Sequence, residues 1–136
     1  MARILVIEDN ADNRELMSYL LRAHGYEVEI AADGELALEA LAASRFDLII
    51  CDVHLPKIDG LQIVATVKST HTLRSVPIVA VTALAMVGDR ERLMAAGFDA
   101  YVPKPIEPES FVEQVGECLA QAARGSMSAA VPRESA

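Results

Sequence analysis

Apolar residues along the chain fall into two alternating patterns. Short apolar runs closed by polar residues are separated by stretches where apolar residues recur at helical spacing. The first run, Ile4-Leu5-Val6-Ile7, is rich in β-branched residues and is closed by Glu8-Asp9-Asn10. It has no polar face, which predicts a strand buried on both sides, as in a parallel sheet. Leu16, Met17, Leu20 and Leu21 then form a helical stripe, with Gly25 placed to end it. Glu27 to Ala31 reads as a weaker strand with Val28 and Ile30 alternating. Asp33-Gly34 opens a second helix carrying Leu36, Ala37, Ala40 and Leu41 on one face.

The pattern then repeats. A strand lies within Asp47 to Val53, and Gly60 precedes a helix striped by Ile63, Val64 and Val67. Pro77 leads the strand Ile78-Val79-Ala80-Val81. A helix follows from about Met86, with Leu93 and Met94 inward and Gly97 at its end. Ala100 to Val102 is a short strand, and the last helix starts near Pro108 with Phe111, Val115, Cys118 and Leu119 on one face. Five alternations of strand and helix joined by short loops imply right-handed crossovers, a parallel sheet and helices on both of its faces. Beyond residue 122 the chain turns to Ala, Gly, Ser, Pro and Arg. The expectation is one domain over residues 1–122 and a disordered tail over 123–136.

Composition adds limits. Of the 136 residues 52% are apolar but only 4% aromatic, so the core must be aliphatic. The net charge of -8 argues against a nucleic-acid-binding domain, which usually carries a basic face. Cys51 and Cys118 lie far apart, match no metal or redox spacing, and read as buried free thiols. The first apolar run is too short for a signal-peptide core or a membrane span, which predicts a cytoplasmic protein with no membrane contact.

Candidate chemistry follows from the fold class. In an open α/β sheet, ligands bind beyond the carboxyl ends of the strands. The first strand ends in Glu8-Asp9, the third in Asp52, the fourth in Thr82 and the fifth in Lys104-Pro105. Three carboxylates, a hydroxyl and an ammonium group are thereby expected at one edge of one sheet. Carboxylates at close quarters repel one another, and a hard divalent cation such as magnesium relieves the conflict with oxygen ligands. A phosphoryl group suits such a site, with Lys104 and Thr82 as further donors and a carboxylate as nucleophile.

The segments LVIEDN, ICDVHLPKIDG, AVTA and YVPKP, in this order and spacing, closely resemble the receiver domains of two-component response regulators. The resemblance covers about residues 2 to 122. It implies a flavodoxin-like (βα)5 three-layer sandwich with a five-stranded parallel sheet of order 2-1-3-4-5. It implies that Asp52 is the phosphoacceptor and that Glu8 and Asp9 are the acidic pair that helps hold Mg2+. The backbone carbonyl of His54 stands as the third protein ligand alongside Asp9 and Asp52, and Glu8 acts through water. Thr82 corresponds to the switch hydroxyl, Lys104 to the lysine that pairs with the phosphoryl group, and Tyr101 to the aromatic whose rotamer reports activation. Pro105 corresponds to a proline preceded by a cis peptide bond. His54 and Leu84 occupy the positions that tune phosphate lifetime, and Leu55 and Ile58 stand where Met is common. His24 and His71 read as surface residues.

The implied partners are a histidine kinase or histidine phosphotransfer protein, and a downstream protein docking on the fourth helix, fifth strand and fifth helix. Homodimerisation through the same region is compatible with the resemblance. The implied chemistry is self-catalysed phosphotransfer and autodephosphorylation, not enzymatic turnover of a substrate. A haloacid-dehalogenase-type hydrolase would need an acid where His54 stands. A flavodoxin would present hydroxyls and glycine to a phosphate where this chain has Glu8-Asp9. The segment VTALAMVGDRERL is similar to stand-alone cell-cycle receivers and to receivers of hybrid kinases. The first reading is therefore a stand-alone receiver without an output domain, and the alternative is a fragment of a larger hybrid kinase or regulator.

Overall fold

In the computed structural model the described residues are 2–83 and 87–130, with side chains described up to Arg124. The elements run β1 (Arg3–Ile7), α1 (Ala11–Ala23), β2 (Glu27–Ala31), α2 (Gly34–Ala43), β3 (Leu48–Asp52), α3 (Gly60–Ser69), β4 (Ile78–Thr82), α4 (Asp89–Ala96), β5 (Ala100–Pro103) and α5 (Pro108–Ala130). The strands form one parallel sheet in the order β2-β1-β3-β4-β5. This is the flavodoxin-like sandwich that the resemblance implies.

The continuous apolar strands split the core in two. On one face Leu5, Ile7, Ile49 and Cys51 pack with Ala37 and Leu41 of α2, Ile63, Val64 and Val67 of α3 and Leu93 of α4. On the other, Ile4, Val6, Leu48 and Ile50 pack with Met17 and Leu21 of α1 and with Phe111 and Val115 of α5. Neighbouring residues of one strand thus serve opposite cores, so β1 from Ile4 onward, β3 and β4 are apolar on both faces until the carboxyl ends of β3 and β4, where Asp52 and Thr82 stand.

Local chemistry sets the element ends. Asn10, Asp33 and Asp59 each cap a helix by accepting a backbone N–H with their side chains. Asp59 and Gln62 form a reciprocal capping box at the start of α3. Gly25 and Gly97 follow α1 and α4 with φ of 88° and 119°, a left-handed conformation that stops a helix.

Several expectations shift. Leu36 is exposed, so α2 buries Ala37 and Leu41 without it; Ile30 also faces solvent, on edge strand β2. Cys51 is buried but Cys118 is only half-buried. Met94 is likewise half-buried. α4 begins at Asp89, because Gly88 takes φ 93° and cannot extend a helix backwards; Met86 lies outside the described residues. α5 runs as helix to Ala130. The rest of the expected tail, residues 131–136, lies outside the described residues.

Candidate functional site

Strand register brings the polar strand ends together. Asp52 is the last residue of β3 and pairs with Val81, so Thr82 stands one step further on β4. Thr82 pairs in turn with Pro103, which precedes Lys104. The Lys104 backbone N–H donates to the Thr82 carbonyl at 2.8 Å, and the Lys104–Pro105 peptide bond is cis. On the other side Ile7 pairs with Cys51, which sets Glu8 beside Asp52.

The side chains meet as the strand ends predict. The Asp52 carboxylate is buried; Oδ1 accepts the His54 backbone N–H at 3.0 Å and Oδ2 accepts Lys104 Nζ at 3.1 Å. Glu8 is fully buried, and its Oε2 accepts the Asn10 N–H at 3.1 Å. Glu8 Oε1 lies 3.5 Å from Lys104 Nζ but has no hydrogen-bond partner. Asp9 is exposed at the pocket mouth. Ligand atoms of Glu8, Asp9 and Asp52 all lie within 4.8 Å of one another.

The electrostatics follow from three carboxylates facing one ammonium group. Burial, reinforced by the charge of Asp52, pushes the Glu8 carboxyl up to about 7, against the lowering effect of the Asn10 N–H and Lys104. For Lys104 burial alone would lower the pKa. The hydrogen bond and charge of Asp52, joined by Glu8, outweigh it and raise it, so Lys104 stays an ammonium. Burial likewise pushes the Cys51 thiol well above its usual range, which leaves it an inert part of the core.

Backbone shape frames the pocket. Gly60 starts α3 directly beneath the loop after β3. A Cβ there would come within 2.7 Å of the Asp52 carbonyl oxygen and of Val53 Cα. Lys57 in the same loop takes φ 65°, uncommon for a residue with a side chain. Two residues not singled out by the hydrophobic pattern also belong to the pocket. Asn10 caps α1 and bonds Glu8, and Arg14 Nη1 donates to the carbonyls of Glu8 and Asp9 at 3.1 and 3.3 Å. No motif marks Arg14; its position one turn into α1, after an acid pair, is the only signal.

The remaining expectations find these places. The His54 side chain is exposed and joins no acid cluster; its backbone N–H holds Asp52. Thr82 is fully buried at the end of β4. Tyr101 is half-buried against the core, and its carbonyl accepts Gln114 Nε2 at 3.1 Å. His24 and His71 are exposed. Leu84 and Ala85 lie outside the described residues. A broad groove of about 1210 Å³, lined in part by Ala2, Phe46, Asp47, His71 and Pro77, lies at the opposite end of the sheet, away from Glu8, Asp9, Asp52, Thr82 and Lys104. No described helix is long and apolar enough to cross a membrane.

Known proteins resemble this chain in sequence and fold. The chain matches the response regulator receiver domain family over residues 4–116. It is 39% identical over 119 residues to the polar-differentiation response regulator DivK of Brucella anthropi, spanning 88% of this chain and 97% of that protein. A putative response regulator from Chloroflexus aurantiacus superposes with a TM-score of 0.83 at 34% identity, covering 88% of this chain and 98% of its own. The receiver domain of a sensor histidine kinase from Pseudomonas aeruginosa, with a magnesium ion coordinated in its active-site cleft, has a TM-score of 0.80 at 34% identity over the same shares. The hydrolase and flavin-binding alternatives lose their support. With its fold, its acidic strand-end cluster and its sequence all in agreement, the chain belongs to the response regulator receiver domain family, as a two-component signalling module.

Proposed function

We propose that the chain accepts a phosphoryl group on Asp52 from a phosphohistidine of a histidine kinase or a histidine phosphotransfer protein. One observation carries this reading. The buried Asp52 carboxylate is held by the His54 N–H and Lys104, with the ligand atoms of two further acids within 4.8 Å of its own. In the transfer an Asp52 oxygen attacks phosphorus, an O–P bond forms, the P–N bond breaks, and the imidazole leaves. The Lys104 ammonium stays charged and is placed to pair with the incoming phosphoryl oxygens. The buried Thr82 hydroxyl, at the neighbouring strand end, is the switch group that then bonds one of them.

The donor set suits Mg2+. It consists of carboxylate oxygens, one of them the buried Glu8 Oε1 that has no hydrogen-bond partner. Asp9, Asp52 and the His54 carbonyl would hold the ion, with Glu8 acting through water. When bound, it would neutralise the acid cluster and offset charge on the transferred group. Glu8, Asp9 and Asp52 otherwise repel a phosphate, so the pocket's own residues make transfer metal-dependent.

Phosphorylation adds about -1.5 to -2 charges and three acceptor oxygens at Asp52. In this reading Thr82 and Tyr101 respond together and alter the face formed by α4, β5 and α5, where a downstream protein or a second copy docks. The DivK relatives are matched over nearly their whole length, which favours a receiver acting as a single domain.

The test is intact-mass measurement after incubation with a small-molecule phosphodonor and magnesium. Wild type is expected to gain the mass of one phosphoryl group, and Asp52→Asn or added chelator to prevent it. An unchanged gain in Asp52→Asn would rule out Asp52 as acceptor.

A further inference from the structure

We infer that Arg14 is a positioning residue for the acidic pocket: it holds the loop between β1 and α1 so that the Asp9 carboxylate faces Glu8 and Asp52. The inference rests on the metal-dependent reading above. Arg14 lies one turn into α1, yet its Nη1 turns back toward the strand and donates to two carbonyls, Glu8 at 3.1 Å and Asp9 at 3.3 Å. These are the two residues whose side chains β1 delivers to the pocket. The guanidinium therefore grips the backbone beneath both acids without touching either carboxylate's place in the cluster.

The rest of the loop shows why this grip matters. Glu8 is fixed independently: its side chain is buried, its Oε2 accepts the Asn10 N–H, and its own N–H donates to the Ala31 carbonyl at 3.1 Å. Asn10 is fixed as the N-cap of α1, accepting the Asn13 N–H at 2.9 Å. Asp9 sits between them and is exposed, so burial does not orient it. The Arg14 contact to its carbonyl supplies that orientation. The turn carrying Arg14 is itself anchored, because the buried Ser18 hydroxyl donates to the Arg14 carbonyl at 2.8 Å. A planar guanidinium presents several donors in a fixed fork and can bridge two acceptors, whereas lysine is a single compact donor on a flexible stem.

Charge and position make opposite predictions, which renders the role testable. A cation beside a metal pocket repels the metal, so if Arg14 acted only through its charge, its removal would tighten magnesium binding. If it positions Asp9, removal loosens binding, because groups that orient ligands typically contribute about 10- to 100-fold in metal affinity.

Magnesium affinity of the full chain is to be measured by calorimetric titration for wild type, Arg14→Ala, Arg14→Met, Arg14→Lys and Arg22→Ala, with metal-free stability from urea unfolding. Arg14→Met retains the apolar stem and guards against lost packing. Arg22 is the control: on the same helix it donates to the Val28 carbonyl at 3.1 Å, away from the pocket. Arg14→Ala and Arg14→Met are expected to weaken magnesium binding at least about tenfold, Arg14→Lys to recover part of the loss, and Arg22→Ala to leave affinity unchanged. Unchanged or tighter binding in the Arg14 variants overturns the inference. So does an equal loss in Arg22→Ala, which would mark a general effect of destabilising α1. If wild type itself takes up no magnesium, the metal reading falls and this inference with it; if wild type binds and the Arg14 variants match it, only the inference falls.

Discussion

At the scale of single residues, the pocket is a set of charges whose balance is visible in one group, Glu8. Its carboxyl sits near 7 when folded, against about 4.5 in the unfolded chain. Between those values the folded state binds more protons, so this group's contribution to stability is fully present below pH 4.5 and is lost as pH rises through 7. Glu8→Gln keeps the shape without the charge. In chelator, the variant is expected to be more stable than wild type at pH 8, with the difference shrinking as pH falls and vanishing only below pH 4.5. Urea titrations across that range check it, and parallel curves for the two proteins would contradict it. The identity of Glu8, Asp9, Asp52, Thr82 and Lys104 was legible in the sequence because strand ends announce themselves as polar residues after apolar runs. Their unequal burial was not. Glu8 and Asp9 are neighbours in sequence, yet one is sealed and the other exposed. That difference arises from where β1 stops within the sheet. Arg14 was silent for a related reason: it acts on carbonyls, which every residue possesses.

At the scale of elements, the loop from β3 to α3 joins fold to site. Asp52 ends the strand, the His54 N–H bonds it, and Gly60 starts the helix against the Asp52 backbone. Asp59 and Gln62 close the helix start by satisfying each other's backbone N–H. Asp59→Ala removes the cap and should cost about 1 kcal/mol. Gly60→Ala should cost more, since its Cβ meets backbone that cannot rotate away. Urea unfolding ranks the two; a neutral Gly60→Ala would mean that the loop gives way and the close approach carries no strain. The existence and order of all ten elements were legible from hydrophobic period. What failed were details decided by neighbours. Leu36 fits the α2 stripe but lies outside the buried surface, and Ile30 alternates correctly on a strand whose outer edge has no partner. The onset of α4 depends on a left-handed Gly88.

At the scale of the molecule, two aliphatic cores clamp one sheet, and the acidic cluster lies at the carboxyl ends of its strands. The sheet order puts β1 and β3 side by side with β4 and β5 following, so residues 8, 9, 52, 82 and 104 converge though they span most of the chain. The formal charge is -8, and in the pocket it takes a specific form, three acids against one ammonium. Three carboxylates at close quarters disfavour an anion until a cation offsets their charge, which is why the proposed phosphoryl transfer is expected to need magnesium. The central claim is that Asp52, among the chain's many acids, bears the phosphoryl group. It is tested most directly by treating the phosphorylated protein with borohydride, which reduces an acyl phosphate to the alcohol, and locating the product by peptide mass spectrometry. Asp52 is expected to be recovered as homoserine, and only after incubation with phosphodonor and magnesium. Homoserine at Asp9, Asp47 or Asp59 instead, or reduction nowhere in the chain, would contradict the account.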